Sequence, residues 1–484
     1  MMSAKICFAL LVLLSTGGTS AFDRAAQVEK SLLPANVVRG ESIPHMSLAD
    51  RMQHHSIPGV SIAVIHQGKL DWARAYGVLE AGGRDSVTTE TLFQAGSISK
   101  VVAAILALRL VEAHKISLDE DLNRKLRTWK IPSNEWAAQR PATLRQALSH
   151  TAGITVHGFP GYGVEDSLPT LVQVLDGVRP ANTAAIQVDA LPGSAFRYSG
   201  GGFTVFQQLA IDVTGKTFPA LMQKEVIDII GMPRSTFLEP IPKSLEANAA
   251  RGHDAKGEMI PGGWHIYPEM AAAGMWSTPS DLAELGIEMR RAAEGKSKLL
   301  SREMAKDMLS PQAPSTGGLG WELSGGDTAT TFLHGGDTAG YKCFMMIYRK
   351  SGNGAVIMTN GDRGESLIGE ILRGLAQAYQ WPSLHPRERT VVQVPTSVLT
   401  DYVGEYALDI APNILVEITR DDAKLMLRVI QPGGRESSEI LPESETVFFV
   451  RDSDFQVTFP RDEDGQVRRL VIDQRGETYR ARKK

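Results

Sequence analysis

Residues 93–108 read FQAGSISKVVAAILAL, and this stretch decides the fold of the 484-residue chain. The sequence predicts a helix from Ser97 to His114, and every residue from Val101 to Leu108 is apolar. A helix that is apolar on all sides is buried inside a large domain. We therefore expect this helix at the centre of the protein, with Ser97 and Lys100 at its beginning.

Ser97 and Lys100 are three residues apart, so in a helix the hydroxyl and the amine lie one turn apart on the same face. A serine hydroxyl is a weak nucleophile that needs a neighbouring base. A lysine that is desolvated beside the positive end of a helix has a lowered pKa and can be that base in its neutral form. The alternative is that Ser-x-x-Lys arises by chance and that Ser97 is a helix cap.

Two later segments also carry candidate chemistry. Tyr198 precedes three glycines and a helix, and a tyrosine that faces a cleft can relay a proton; the alternative is an aromatic packing residue. His334-Gly335-Gly336-Asp337 leads into a strand, and its glycines would let a substrate backbone approach closely. The N–H groups of Ser97 and of Asp337, which follows Gly336, could form an oxyanion hole. A single histidine at a strand start is otherwise more often structural.

The order Ser-x-x-Lys, then Tyr-x-x, then His-x-Gly resembles that of class C β-lactamases and penicillin-binding proteins (D-alanyl-D-alanine carboxypeptidases), with their esterase and D-aminopeptidase relatives. The resemblance extends over about residues 45 to 380. The supporting segments are Gly59–Val64, Phe93–Gly96, Leu148–Ile154 and Ala272–Thr278.

The resemblance implies an α+β fold, in which a β-lactamase/transpeptidase-like antiparallel sheet is flanked by helices and joined by a helical subdomain. It also implies roles: Ser97 is the nucleophile, Lys100 the base, Tyr198 the group that moves protons to the leaving group, and His334 part of a substrate-binding edge strand. We therefore expect a serine hydrolase that acts through an acyl-Ser97 intermediate on an ester or an amide. Esterase, D-aminopeptidase and carboxypeptidase activities stay open.

Two positions depart from the family pattern. The second motif normally ends in Asn, whose amide contacts the acyl side chain of peptide-like substrates, and here Gly200 stands there. The third normally begins with Lys, a fixed cation for the substrate carboxylate, whereas His334 is largely neutral at pH 7. We expect β-lactamase activity to be weak or absent. The same departures motivate an alternative, a non-catalytic binding or scaffold protein that keeps the fold.

Strand patterns at both ends of this region predict one antiparallel sheet built from distant parts of the chain. The predicted strands are Val60–Ile65, one carrying Leu70 and Trp72, Tyr341–Tyr348 and Ala355–Thr359, with a helix at Leu367–Tyr379. The middle of the chain is mostly helical. Further helices are predicted to begin at Thr278, a capping hydroxyl before proline, and to run from Phe203 to Gly215.

A cluster of prolines between Trp381 and Pro395 predicts a domain boundary, giving a hydrolase domain at 22–385 and a β-domain at 395–484. Short apolar runs with turn residues between them predict a small all-β barrel or sandwich. The runs are 415–419, 425–430, 447–451, 455–459 and 467–472, and the turns are 432–434, 464–465 and 475–476. The opening segment, Asp401–Tyr406, resembles the lipocalin-like β-domain often appended to such hydrolases.

Residues 1–21 have the pattern of a signal peptide, with a positive Lys5, an apolar run from Ile6 to Leu14 and a cleavage site after Ala21. This predicts a periplasmic or secreted protein without a membrane span after cleavage. The alternative is a retained anchor, although the run is much shorter than the roughly 20 residues that a span needs.

Composition excludes several other classes. The net charge of −4 favours neither nucleic acid nor anionic lipid as a partner. Cys7 lies in the signal segment, which leaves Cys343 as a small buried hydrophobe, and no Cys/His cluster predicts a metal site. Thr214–Thr217 lacks the leading glycine of a phosphate-binding loop. We expect no cofactor and no metal, and a small-molecule or peptide ester or amide as substrate; the oligomeric state is not predicted.

Overall fold

The structure is a computed structural model that describes residues 21–325, 330–430, 437–474 and 477–484. All of the predicted signal segment except Ala21 lies outside the described residues. The predicted turns at 432–434 and 475–476 lie outside them as well.

The helices and strands follow one another in this order. The α-helices are α1 (Ala21–Lys30), α2 (Leu48–His54), α3 (Ile98–Glu112), α4 (Glu135–Gln139), α5 (Leu144–Leu148), α6 (Leu171–Asp176), α7 (Gly200–Thr214), α8 (Phe218–Met222), α9 (Asp228–Ile230), α10 (Lys243–Glu246), α11 (Met270–Ala273), α12 (Pro279–Ala293), α13 (Arg302–Met308), α14 (Gly364–Tyr379) and α15 (Thr396–Tyr402). A 3-10 turn spans Leu122–Arg124 and a π turn spans Gln223–Ile227. The strands are β1 (Asn36–Val38), β2 (Gly59–His66), β3 (Lys69–Gly77), β4 (Phe93–Gln94), β5 (Tyr162–Gly163), β6 (His265–Ile266), β7 (Trp276–Ser277), β8 (Glu322–Ser324), β9 (Thr331–Thr338), β10 (Tyr341–Tyr348), β11 (Gly354–Thr359), β12 (Arg387–Arg389), β13 (Gly404–Leu408), β14 (Ala411–Asp421), β15 (Lys424–Ile430), β16 (Ser438–Pro442), β17 (Val447–Phe449), β18 (Gln456–Thr458), β19 (Arg469–Gln474) and β20 (Glu477–Lys483).

A six-stranded antiparallel sheet in the order β3-β2-β11-β10-β9-β8 forms the central layer of the first part of the chain. Its first two strands come from near the amino end, and the other four follow residue 320. Helices α1, α2 and α14 pack against one face through one apolar core. Helices α3 and α12 cover the other face, within a larger core that also contains the helical middle of the chain. The predicted α+β architecture is confirmed.

Helix α3 runs through the larger core, as its apolar sequence predicts. Of its 15 residues 12 are buried, and it packs against α7, α8 and α11. The helix ends at Glu112, two residues before the predicted end at His114. Burial on all sides holds both the position and the rotation of its first turn, from which Ser97 and Lys100 project.

Two other helices show how local sequence sets their ends. Helix α12 begins as predicted, because the Thr278 hydroxyl accepts the N–H of Asp281. Helix α7 ends at the predicted Gly215, but it begins at Gly200 rather than Phe203. The Ser199 hydroxyl accepts the N–H of Gly202 and so draws the glycines into the first turn.

Strands β13 to β20 form a closed antiparallel barrel in which β20 pairs back to β13. Its interior is filled by aromatic and aliphatic side chains, and α15 contributes Leu399 and Tyr402 to this core. Tyr402 stacks on Phe459 with ring centroids 4.3 Å apart. The predicted all-β domain is therefore a barrel. Strands β13, β16 and β20 were not among the predicted runs.

The barrel is joined to the rest of the chain by buried polar contacts. The side-chain amide of Asn36 donates to the carbonyls of Val450 and Ser453, and the backbone N–H of Asn36 donates to the Arg451 carbonyl. β1 also pairs in parallel with β12, which lies in the proline-rich connection between the two parts. The amino-terminal segment therefore docks the barrel.

Candidate active site

The predicted nucleophile and base lie side by side at the beginning of α3. Lys100 Nζ donates to Ser97 Oγ at 2.9 Å and to the carbonyl of Ala272 at 2.8 Å. Ser97 stands at the N-cap position, but its side chain makes no capping hydrogen bond, so the alternative of a simple cap does not describe this hydroxyl. Ser97 is partly exposed, whereas Lys100 is buried.

Burial changes the chemistry of the Lys100 amine. Desolvation lowers its pKa from 10.5 to about 7, because the charged form loses its hydration and gains no carboxylate partner in the described structure. About half of the amines are therefore neutral at pH 7 and can accept the proton of the Ser97 hydroxyl.

The hydroxyl of Ser99 links the first turn of α3 to the part of the chain around α11 that Lys100 contacts. Ser99 Oγ donates to the carbonyl of Gly96 at 2.6 Å and accepts the N–H of Met275 at 3.0 Å. These two bonds connect the first turn of α3 to Met275, which follows α11. Helix α11 itself supplies the Ala272 carbonyl that Lys100 contacts. The geometry of Lys100 is thus set from both ends.

Tyr198 lies beside Ser97 and Lys100. Its phenol interacts with the Ser97 hydroxyl, and Lys100 Nζ lies 5.0 Å from the centroid of its ring. Burial raises the pKa of Tyr198, so the phenol keeps its proton at neutral pH. The resting tyrosine can donate a hydrogen bond or a proton, which suits the protonation of a leaving group.

Strand β9 passes unusually close to the residues that precede the nucleophile. A Cβ on Gly336 would lie 2.1 Å from the Ala95 carbonyl oxygen, and a Cβ on Gly96 would lie 2.7 Å from the Asp337 nitrogen. Gly96 also has φ +52°, a conformation that favours glycine. The two glycines let the backbone of Asp337 approach Ser97, where the oxyanion hole is predicted.

The outer side of β9 differs from the prediction of an edge strand. β8 lies beyond it and pairs with Thr331, Phe332 and Leu333. From His334 onwards the pairing in the described residues is with β10 alone, so only the second half of β9 borders the cleft as an edge. The short partner strand was missed because Glu322–Ser324 has only three residues and no apolar run.

His334 and Asp337 differ in which part of the residue lies near the site. The His334 ring is buried, and its Nδ1 donates to the Gly335 carbonyl at 2.6 Å. Burial lowers the pKa of His334, so the ring is neutral at pH 7. The Asp337 carboxylate is exposed and pairs with Lys342, which leaves its backbone N–H as the group near the site.

The sequence prediction missed three residues around Tyr198. The rings of His150 and His157 lie 4.2 and 4.9 Å from the Tyr198 ring. Phe159 occupies the space beside Gly200, where a Cβ would meet its Cε2 at 3.0 Å and the His157 carbonyl oxygen at 3.2 Å. An Asn at this position, as in the family motif, would therefore require Phe159 or the His157 backbone to shift by a few tenths of an ångström. His150 belongs to a segment that carries the resemblance, but no sequence spacing relates it to Tyr198.

Two other features are absent from the described residues, a metal site and a membrane-spanning helix. No group of three or more His, Cys, Asp or Glu side chains in this part of the chain is arranged to hold a metal ion. None of its helices combines the length and the hydropathy that crossing a membrane requires.

Comparison with known proteins places these residues in a family context. The family described as Beta-lactamase matches residues 47–378, and a domain of unknown function, DUF3471, matches residues 388–482. The chain is 26% identical over 342 residues to penicillin-binding protein 4 of Amycolatopsis lactamdurans, covering 67% of this chain and 86% of the relative. It is 28% identical over 237 residues to the unguisins hydrolase ungD of Aspergillus violaceofuscus, covering 45% of this chain and 39% of that relative.

Solved structures show the same fold. The octameric penicillin-binding protein homologue from Pyrococcus abyssi superposes with a TM-score of 0.60 at 20% identity, over 90% of this chain and 98% of that one. The penicillin binding protein from Bacillus halodurans superposes with a TM-score of 0.53 at 20% identity, over 69% of this chain and 99% of that one.

Proposed function

The chain belongs to the Beta-lactamase family of serine hydrolases, and we propose that it is an exported enzyme that hydrolyses an ester or an amide through an acyl-Ser97 intermediate. The observation that carries the proposal is the 2.9 Å hydrogen bond between Lys100 Nζ and Ser97 Oγ in a buried first turn. Export is inferred from the signal pattern of residues 1–21, which implies a periplasmic or secreted enzyme.

In the first step the neutral Lys100 amine takes the proton of Ser97 Oγ, which attacks the substrate carbonyl carbon. The carbonyl oxygen becomes an oxyanion, and the N–H groups of Ser97 and Asp337 are the donors placed to stabilise it. Collapse of this intermediate breaks the bond to the alcohol or amine. That group leaves with a proton from Tyr198, which recovers one from Lys100.

In the second step water attacks the acyl-Ser97 ester. Lys100, neutral again, accepts the proton of the water as the new bond forms and passes it to Ser97 Oγ when that oxygen leaves, while Tyr198 keeps its own proton. The acid product then leaves, and Ser97 regains its proton. Both steps use the same oxyanion donors, so one arrangement of residues serves the whole cycle.

The substrate class follows from the two departures at the cleft. His334 is a neutral ring where relatives with carboxylate-bearing substrates have a lysine, and burial keeps its pKa low. Gly200 offers no side-chain amide, and the Phe159 ring packs closely against it, 3.0 Å from where a Cβ would lie. We propose a substrate without an obligatory carboxylate and with an apolar group beside the scissile bond, so that β-lactamase activity is weak or absent. The relative ungD is named a hydrolase, which supports testing for hydrolytic activity.

The second candidate is a non-catalytic binding protein that keeps the fold, which the same departures favour. A substrate screen separates the two. The mature protein and its Ser97→Ala variant would be compared on aryl esters, alkyl esters, D-amino-acid amides and a chromogenic cephalosporin. We expect ester or amide turnover that Ser97→Ala abolishes, and cephalosporin turnover far below it. Turnover that Ser97→Ala leaves unchanged would refute the acyl-Ser97 route. Turnover of no substrate, together with no fluorophosphonate label on Ser97, would support the non-catalytic alternative.

A further inference from the structure

Three contacts of His150 surround Tyr198. The carbonyl of His150 accepts the N–H of Arg197 at 2.8 Å, and its Nδ1 accepts the N–H of Ser199 at 3.0 Å. Between these two bonds the imidazole stacks on the Tyr198 ring, with centroids 4.2 Å apart and planes 27° apart. One residue therefore binds both neighbours of the tyrosine and the tyrosine itself.

The bond from Ser199 determines the tautomer of His150. A backbone amide can only donate, so Nδ1 carries the lone pair and the proton is on Nε2. Burial of the ring, together with the nearby Lys100 amine in its charged form, lowers the pKa of His150 well below its usual value. A protonated ring would lose the acceptor for Ser199, so this contact requires the neutral form.

The backbone of His150 is also held in a conformation that histidine seldom adopts. Its φ is +60°, in the left-handed region, directly after the end of α5. Residues stay in this region only when their surroundings hold them there, and such residues cluster at functional sites. Edge contacts of the ring with Phe196 and Phe203 supply part of this restraint.

We propose that His150 is the positioning residue for Tyr198: it holds residues 197–199 so that the phenol stays beside Ser97 and can protonate the leaving group. The inference rests on the proposed function and extends it, because it assigns a task to a residue outside the three motifs. His150 acts through Tyr198 and does not itself transfer a proton.

Two variants separate the contacts that His150 makes. His150→Asn keeps an acceptor for the Ser199 N–H and tolerates the positive φ, but it loses the stacked ring. His150→Phe keeps a ring but loses the acceptor. Each would be compared with Tyr198→Phe, which removes the acid itself.

The readout is the dependence of kcat/KM on the leaving group. Two esters would share one acyl group, one releasing the acidic 4-nitrophenol and the other an alkyl alcohol, which must be protonated as it leaves. We expect both His150 variants to lose about 10- to 100-fold in kcat/KM on the alkyl ester and less than about threefold on the nitrophenyl ester. The loss on the alkyl ester is smaller than the roughly 10²- to 10⁴-fold rate gain that a general acid supplies, because the acid is misplaced and not removed. His150→Asn should lose less than His150→Phe.

A double variant tests whether the effect passes through Tyr198. His150→Asn with Tyr198→Phe should be no slower on the alkyl ester than Tyr198→Phe alone, because the two changes remove one function. Equal losses on both esters, no loss on either, or additive losses in the double variant would overturn the inference. Labelling of Ser97 by a fluorophosphonate, which needs no acid for its leaving group, verifies that each variant is folded. If His150→Phe is not labelled, His150→Asn carries the test.

Failure of the inference differs from failure of the proposed function. If the wild-type protein shows no turnover that depends on Ser97, the proposed function itself fails. If the wild type turns over both esters and the His150 variants lose them equally, only the assignment of His150 fails.

Discussion

The pH dependence of acylation tests the role of Lys100, because its lowered pKa makes a quantitative prediction. With a pKa of about 7, half of the amines are neutral at pH 7, about 9% at pH 6 and about 1% at pH 5. With the ordinary pKa of 10.5 only about 0.03% would be neutral at pH 7. Burial thus raises the fraction of competent base about a thousandfold at neutral pH.

The assay is kcat/KM for a 4-nitrophenyl ester between pH 5 and 10 at constant ionic strength, corrected with Ser97→Ala for background hydrolysis. Because the base must be neutral, we expect a tenfold rise per pH unit at low pH, a midpoint near 7 and a plateau above it. Burial raises the pKa of Tyr198, so no decline follows on the alkaline side of this range. Lowered pKa values keep His150 and His334 neutral across the midpoint.

Two results would refute this reasoning. A kcat/KM that keeps rising tenfold per unit beyond pH 9 would show that Lys100 has an ordinary pKa. A profile that is flat from pH 5 to 9 would show that a group other than a titrating amine activates Ser97. Lys100→Arg serves as a control, since a guanidinium stays charged and should not support acylation at any of these pH values.

Further predictions concern the cleft and the stability of the fold. Gly200→Asn should lower ester turnover and give no cephalosporin hydrolysis, because its Cβ would lie 3.0 Å from Phe159. Adding Phe159→Ala should restore ester turnover, whereas an unchanged rate in the single variant would contradict the steric argument. Thr278→Ala should lower the free energy of unfolding by about 1 kcal/mol, measured by urea denaturation, because α12 loses its cap. Arg51→Met should lower it by about 3–5 kcal/mol, since the fully buried Glu370 carboxylate loses its bidentate partner. Replacing Glu370 with Leu in the same chain should recover most of that loss; a single variant as stable as the wild type would show that the buried pair is not needed.

The parts of the fold that the sequence predicted are those with an unbroken apolar signal. Helix α3 and strand β2 were predicted because their apolar residues need burial wherever the rest of the chain lies. Strand β20, by contrast, reads ETYRARK: four of its seven residues are charged, and nothing local distinguishes it from a surface loop. Only closure of the barrel against β13 makes it a strand.

The candidate site divides in the same way. Ser97 and Lys100 were predicted to be in contact because side chains three residues apart in a helix lie on the same face, about one turn apart. Their relation to Tyr198 rested on the family resemblance, since about 100 residues separate them. The contacts of His150 with Ser199 and of Phe159 with Gly200 depend on how the loop after α5 folds back over α7. The spacing of residues in the sequence does not predict this packing. The close contact between Phe159 and Gly200 is visible only in the tertiary packing.

The most direct test of the account is to trap the acyl-enzyme. The mature protein would be mixed with a 4-nitrophenyl ester, quenched in acid within one turnover and mapped by mass spectrometry after proteolysis. We predict a burst of one 4-nitrophenol per chain and an acyl group on the peptide that contains Ser97, with both lost in Ser97→Ala. An acyl group on a different residue, or a burst that survives in Ser97→Ala, would contradict it.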